Sequence, residues 1–243
     1  MRNEARTLCG GPWRKDQAGF SCTKHTPQGS TILYRQAGVG PARAARAARA
    51  ALADGADLLL SLGVSGGLDP SLAPGNVVAA TAVLDASTPE APLLPVDETC
   101  SGTLAGLLVR DGATVCRGLA VALDRPVAGA REKAELLRRT GGMCVDTESA
   151  AAAREAREAG VPFVCVRVVS DPSGRSLPAE ALAALSGDGR LAPWRLAVSV
   201  MRRPRAVLEL AGLAREFSAA RRSLELAGRA LVQMLEERAR SRF

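Results

Sequence analysis

Two carboxylates stand out by where they fall. In MCVDTESAAAAREAREAGVPFVCVRVVSDP, residues 143–172, Glu148 follows a short apolar segment ending at Val145, and Asp171 follows the apolar run Phe163–Val169. Acids at the ends of neighbouring buried strands suit a reaction in which one carboxyl donates a proton while the other keeps its charge, because the local environment decides the state of each. Each acid also has an ordinary explanation. Glu148 can be a helix N-terminal acid worth under ~1 kcal/mol through the dipole, and Asp171 a turn former before Pro172. Gly63, Ser65, Gly66 and Gly67 read as a glycine-rich turn after another buried strand. Such a turn lets backbone N–H groups approach an anion or a nucleobase, or is simply a turn. Arg167 interrupts an apolar strand and needs an anionic partner. The alternatives are Glu148, Asp171 before a ligand arrives, or a purely structural ion pair.

Strand candidates at 31–34, 57–62, 77–84, 115–121, 143–145 and 163–169 largely alternate with helix candidates at 42–53, 103–109, 130–139 and 147–159. The last helix is rich in Ala, Arg and Glu and stops at Gly160 and Pro162, an ordinary helix end. Alternation predicts an α/β fold with a central mixed, mostly parallel sheet flanked by helices in three layers. The segment 143–169 then reads as a parallel strand–helix–strand crossover, with both acids on one rim. Residues 10–30 show little periodicity and read as loop. Beyond Pro193 the chain becomes wholly helical, with two amphipathic helices expected after Pro204.

With 243 residues, one domain with a full core is expected over 1–243, the region 190–243 being its C-terminal helical extension. No apolar run suits a membrane span or an export signal, so a cytoplasmic protein is expected. The six cysteines form no CxxC pair and read as reduced and mostly buried. With a single histidine, His25, a histidine-based triad or zinc site would rest on that residue alone, and it reads as solvated. From Arg190 to Phe243 there are 12 Arg against 5 Glu, which accounts for the whole net charge of +7. With only 2 Trp, 1 Tyr and 4 Phe, few bases could be stacked, which argues against nucleic acid as a partner.

GVSGGLDPSLAPGNVVAATAV at 63–83, VDTES at 145–149 and RVVSDP at 167–172 together resemble the nucleoside phosphorylase and nucleosidase superfamily. Within it, DRPVAGAREKAELLRRTGGMCVDTES at 124–149, SDPSGRSLP at 170–178 and the basic helical tail are most similar to the hopanoid-associated phosphorylase group. The resemblance implies removal of adenine from adenosylhopane, leaving ribosyl or phosphoribosyl hopane. A soluble methylthioadenosine or adenosylhomocysteine nucleosidase, and a non-catalytic nucleoside-binding member, are the alternatives.

By that resemblance Asp171 is the acid that protonates N7 of the purine, and Glu148 accepts hydrogen bonds from the ribose 2′ and 3′ hydroxyls. Gly63, Ser65, Gly66, Gly67, Val145, Thr147, Arg167 and Ser170 line the base and sugar. Glu4 orients the attacking water, and Arg6 is an alternative contact for phosphate. No cofactor or metal is implied, and inorganic phosphate is a candidate co-substrate. A homodimer is the family default. The basic tail suggests peripheral contact with the inner face of a membrane, Arg near anionic lipid being worth ~1 kcal/mol each; the alternative is packing on the domain or on a partner subunit. Relatives open with a strand ahead of the segment similar to MRNEAR, so either the start codon is chosen too late or the sheet lacks a central member. Thr147 stands where relatives usually carry Met, and Asn76 where Asp is commoner.

Overall fold

The computed structural model describes residues 12–26, 29–36, 38–176 and 206–240, with side chains of the last stretch described over 215–238. Its elements in chain order are β1 (Arg14–Asp16), β2 (Gly19–His25), β3 (Thr31–Gln36), α1 (Pro41–Ala53), β4 (Leu59–Gly67), β5 (Val77–Asp85) and β6 (Leu94–Pro95). There follow α2 (Glu98–Arg110), β7 (Val115–Ala122), α3 (Ala130–Thr140), β8 (Cys144–Asp146), α4 (Ser149–Glu158), β9 (Phe163–Asp171) and α5 (Ala206–Arg240).

Apolar runs without alternation form the strands covered on both faces. Every residue of β9 is buried, as are Val77, Val78, Ala79 and Ala80 of β5. These strands belong to a six-stranded sheet ordered β6-β5-β7-β8-β4-β9, and a further antiparallel pairing of β5 with β9 closes it on itself. The sheet is mixed: β4–β9, β5–β7 and β7–β8 are parallel, whereas β4–β8 and β5–β6 are antiparallel. The α/β class therefore stands, but the simple parallel crossover does not. β8 and β9 are not neighbours, because β4 lies between them and runs antiparallel to β8.

Residues 10–30 are not all loop. β1, β2 and β3 form a separate antiparallel sheet, in register from Phe20↔Gln36 to His25↔Thr31. β2 is mostly half-buried, with only Cys22 fully buried among Gly, Ser, Thr, Lys and His, so it carries no apolar run, and the periodicity that betrays core strands is missing. His25 is exposed there, facing Thr31 Oγ1 at 3.1 Å. Cys22 is disulfide-bonded, which corrects the expectation of six reduced cysteines; Cys100, Cys116, Cys144 and Cys165 are free. The spacing argument looked for metal-type pairs close in sequence and had no handle on this hairpin.

Residues Ala206–Arg240 form one helix rather than two. Ala220, Leu224, Ala227, Leu231 and Met234 recur on one stripe and pack on Val77, Leu104, Leu108, Val164, Val166 and Val168. The apolar face of this stretch is thus spent on the domain, while Arg221, Arg222 and Arg229 face outward. Among the described residues no helix is long and apolar enough to cross a membrane.

Over Leu59–Ser65, β4 pairs with β9 on one side, and no described strand pairs with it on the other. The N–H of Leu59 donates to Pro162 O at 2.9 Å. In a parallel ladder successive residues alternate sides, so the amides of Ser61 and Gly63 also face β9, and those of Leu60, Leu62 and Val64 face away. Native-state hydrogen exchange is expected to alternate accordingly, Leu60, Leu62 and Val64 exchanging at least about tenfold faster than Leu59, Ser61 and Gly63. Uniform protection along β4 would mean that this edge is covered.

Candidate active site

The glycine-rich stretch is strand, not turn. Gly63, Ser65, Gly66 and Gly67 all belong to β4, whose pairing shifts register between Ser65 and Gly66. At that shift Gly66 lies opposite Val145 of β8 on one side and Asp171 of β9 on the other. Val145, Gly66 and Asp171 thus form one row across three strands, about 10 Å wide from two interstrand spacings of ~4.8 Å. Glycine is needed here for space. A Cβ on Gly66 would sit 3.3 Å from Asp171 Oδ2 and 3.4 Å from Val145 Cγ1, and one on Gly67 would sit 3.2 Å from Val169 Cγ1.

Asp171 is buried, and its carboxylate is fully engaged. Oδ1 accepts from Ser170 Oγ at 2.7 Å, and Oδ2 pairs with the ammonium of Lys133, a fully buried residue of α3. Ser170 Oγ also reaches Ser65 O at 3.1 Å, tying β9 to β4. Ser65 itself is buried, and its hydroxyl has no hydrogen-bond partner among the described residues. The counter-ion of Asp171 is not Arg167, one of the alternatives from the sequence, but a lysine of a helix 38 residues earlier in the chain. Sequence reasoning missed Lys133. Its one signal was position, three residues before the buried Leu136 on the same face of α3.

Glu148 sits at the start of α4, with Oε1 accepting from Gly40 N at 2.7 Å and from Thr147 Oγ1. Thr147, buried, thus steadies the carboxylate by a hydrogen bond where relatives usually carry Met. Oε2 has no partner among the described residues.

Arg167 pairs with neither Glu148 nor Asp171. Its Nε donates to Asp146 Oδ2 at 2.6 Å, and its Nη2 donates to Ser61 Oγ at 2.7 Å. The other oxygen of Asp146 accepts the backbone N–H groups of Glu148 and Ser149 at 2.6 and 2.7 Å, capping α4. Burial works against the charge on Arg167, but Asp146 more than offsets this, with Cys165 and Glu148 adding, so the guanidinium is held more firmly protonated than in water. Burial pushes the Cys165 thiol up to about 11, and burial with Asp146 raises Cys144 further, so neither is a nucleophile near neutrality.

Glu148, Arg167 and Gly63 line a cavity of about 510 Å³ that runs along the unpaired edge of β4, between β3, α1 and α5. Leu60, Leu62, Leu224 and Leu231 give it apolar walls. Asp171, Ser170, Ser65, Gly66, Gly67, Val145 and Thr147 are not on that wall but around the row described above. The two acids therefore approach Gly63–Gly67 from opposite ends, Glu148 from the cavity side and Asp171 beyond it. Glu4 and Arg6 lie outside the described residues. Among the described residues no cluster of His, Cys, Asp and Glu could hold a metal ion.

The family model described as the phosphorylase superfamily matches residues 1–188. The chain is 38% identical over 191 residues to the futalosine hydrolase of Streptomyces coelicolor, covering 69% of this chain and 80% of that protein. Among solved structures it is similar to the 5′-methylthioadenosine/S-adenosylhomocysteine nucleosidase of Campylobacter jejuni, at a TM-score of 0.73 and 14% identity over 98% of this chain and 96% of the other. It is also similar to the futalosine hydrolase of Helicobacter pylori, at a TM-score of 0.64 and 18% identity over 70% and 84%.

Proposed function

The chain belongs to the phosphorylase superfamily, and from that premise we propose that it breaks the N-glycosidic bond of an adenine nucleoside with a large apolar 5′ substituent, adenosylhopane being the candidate. The observation that carries the reading is the row Val145–Gly66–Asp171, about 10 Å wide, which sets Asp171 across Gly66 from the strand that leads, three residues after Val145, to Glu148.

In this reading the purine lies against Asp171 and the ribose against Glu148. Heterolysis of the bond from C1′ to N9 leaves positive charge on the sugar and negative charge on the base, so the site gains most by protonating one and holding the other. Asp171 delivers a proton to N7 as the electron pair withdraws into the ring. Glu148 pulls on the 2′ and 3′ hydroxyls through Oε2, its other oxygen being fixed by Gly40 and Thr147. Backbone close to Gly63–Gly67 lets the sugar approach the sheet where side chains would block it. Glu4 would steer water, or Arg6 phosphate, to the anomeric carbon. The protein acts as one domain with its helical tail as a wall, as a homo-oligomer, with the outward arginines of α5 available to an anionic membrane on the cytoplasmic side.

The choice of adenosylhopane rests on the motifs at 124–149 and 170–178. A second reading, hydrolysis of futalosine, is favoured by the 38% identity to a futalosine hydrolase. The test is release of free base from adenosylhopane, futalosine, methylthioadenosine and S-adenosylhomocysteine, each with and without inorganic phosphate. Adenine from adenosylhopane is expected, and the mass of the sugar product tells water from phosphate. Release only from futalosine or from the soluble thioethers removes the hopanoid assignment, and release from none removes catalysis.

A further inference from the structure

Lys133 and Arg167 are the two most deeply buried cations among the described residues, and the reaction as outlined employs neither directly. Arg167 is accounted for by Asp146 and Ser61. Lys133 lies differently. An ammonium has three protons to give, and all three are committed: to Asp171 Oδ2, to Pro172 O at 2.9 Å and to Arg175 O at 3.2 Å. The start of α3 holds the same loop a second time, through Ala130 N to Ser176 Oγ at 3.1 Å. Burying a cation without such partners would cost several kcal/mol, so the chain retains it against a strong bias.

Both oxygens of Asp171 receive hydrogen bonds, one from Lys133 and one from Ser170. Ser170 has one hydroxyl proton for Oδ1 and for Ser65 O, so the ammonium at Oδ2 is the fixed partner of this carboxylate. We propose that Lys133 is a positioning residue for the proposed reaction, setting the pH range over which Asp171 can protonate the leaving purine. The inference rests on Asp171 being the purine acid. The proton enters from solution onto Asp171 against the opposition of the ammonium, then passes to N7 as the C1′ to N9 bond breaks. The carboxylate then returns to Lys133.

Among the described residues no other charge near Asp171 is placed to do this. Its neighbours on β4 and β8, Gly66 and Val145, are uncharged. Arg167 on its own strand is committed to Asp146, and Glu216 of α5 to the side chain of Arg175.

The test is the pH dependence of base release by the full-length protein and its Lys133→Met, Lys133→Gln and Lys133→Arg variants. It uses the adenine nucleoside that the wild type cleaves, alongside p-nitrophenyl riboside, whose leaving group needs no proton. Removing the ammonium is expected to carry the alkaline limb of adenine release upward by about one to three pH units. Lys133→Arg keeps the limb in place, and the nitrophenyl substrate shows no such limb in any variant. Thermal melting identifies a variant that fails to fold, and Lys133→Gln, which can still hydrogen-bond the loop, is the reading if Lys133→Met does. An unmoved limb, or equal loss on both substrates, reduces Lys133 to a structural clasp and overturns the inference. A wild type that cleaves the nitrophenyl riboside but no purine nucleoside sinks the assignment of Asp171 instead.

Discussion

Asp171→Asn is expected to lower adenine release by about 10³-fold, within the 10²–10⁴ that a positioned acid contributes. The amide matches the carboxyl in shape and can accept from Lys133, so the row from Val145 to Asp171 persists, but it has no ionisable proton for N7. The loss should therefore fall on kcat for purine nucleosides. Cleavage of p-nitrophenyl riboside should change by less than about tenfold, because its leaving group departs unprotonated. Equal losses on both substrates would mean that the change acts through the fold, and an undiminished adenine rate would mean that another group supplies the proton.

The second large effect is on stability. Arg167→Met removes the cation that answers Asp146, both side chains being almost wholly buried. Breaking one partner out of a buried pair typically costs about 3–5 kcal/mol, because the remaining charge has no solvent to turn to. Urea denaturation should register that loss as a fall in midpoint with little change in slope. Pairing it with Asp146→Asn should cost clearly less than the sum of the two single changes, since the double variant leaves no charge stranded. Additive losses would show that Arg167 is held chiefly by Ser61 and the strand backbone.

The sequence was most legible where burial imposes a pattern. The runs of β5, β7 and β9 and the capped helices α1 and α4 were readable to within a few residues, because a strand covered on both faces must be apolar throughout and a helix end must be closed. β2 was invisible, since a half-buried strand of mixed polar residues has no such obligation. The glycines of β4 misled: Gly63, Gly66 and Gly67 resemble a turn in composition, yet they are strand residues kept small by Arg167, Asp171 and Val169 beside them. The same blindness to tertiary neighbours left Arg167 with three readings, of which the structural ion pair holds, with Asp146 as its anion. Asp146, its partner, was readable only as part of VDTES, although an Asp two residues before Glu148 and three before Ser149, ahead of an alanine run, is also a helix cap. Lys133 lay beyond reach, because what identifies it is a strand that ends 38 positions later.

Asp146 joins the first turn of α4 to the middle of β9, so residues 144–171 close upon themselves through a single carboxylate. Local fluctuations of native proteins tend to respect such self-contained units, opening them whole or not at all. A breath that lifts α4 must strip Glu148 of its backing and Arg167 of its anion at the same instant. In the proposed reaction such an opening would withdraw the acid that holds the sugar and the brace of β9 together.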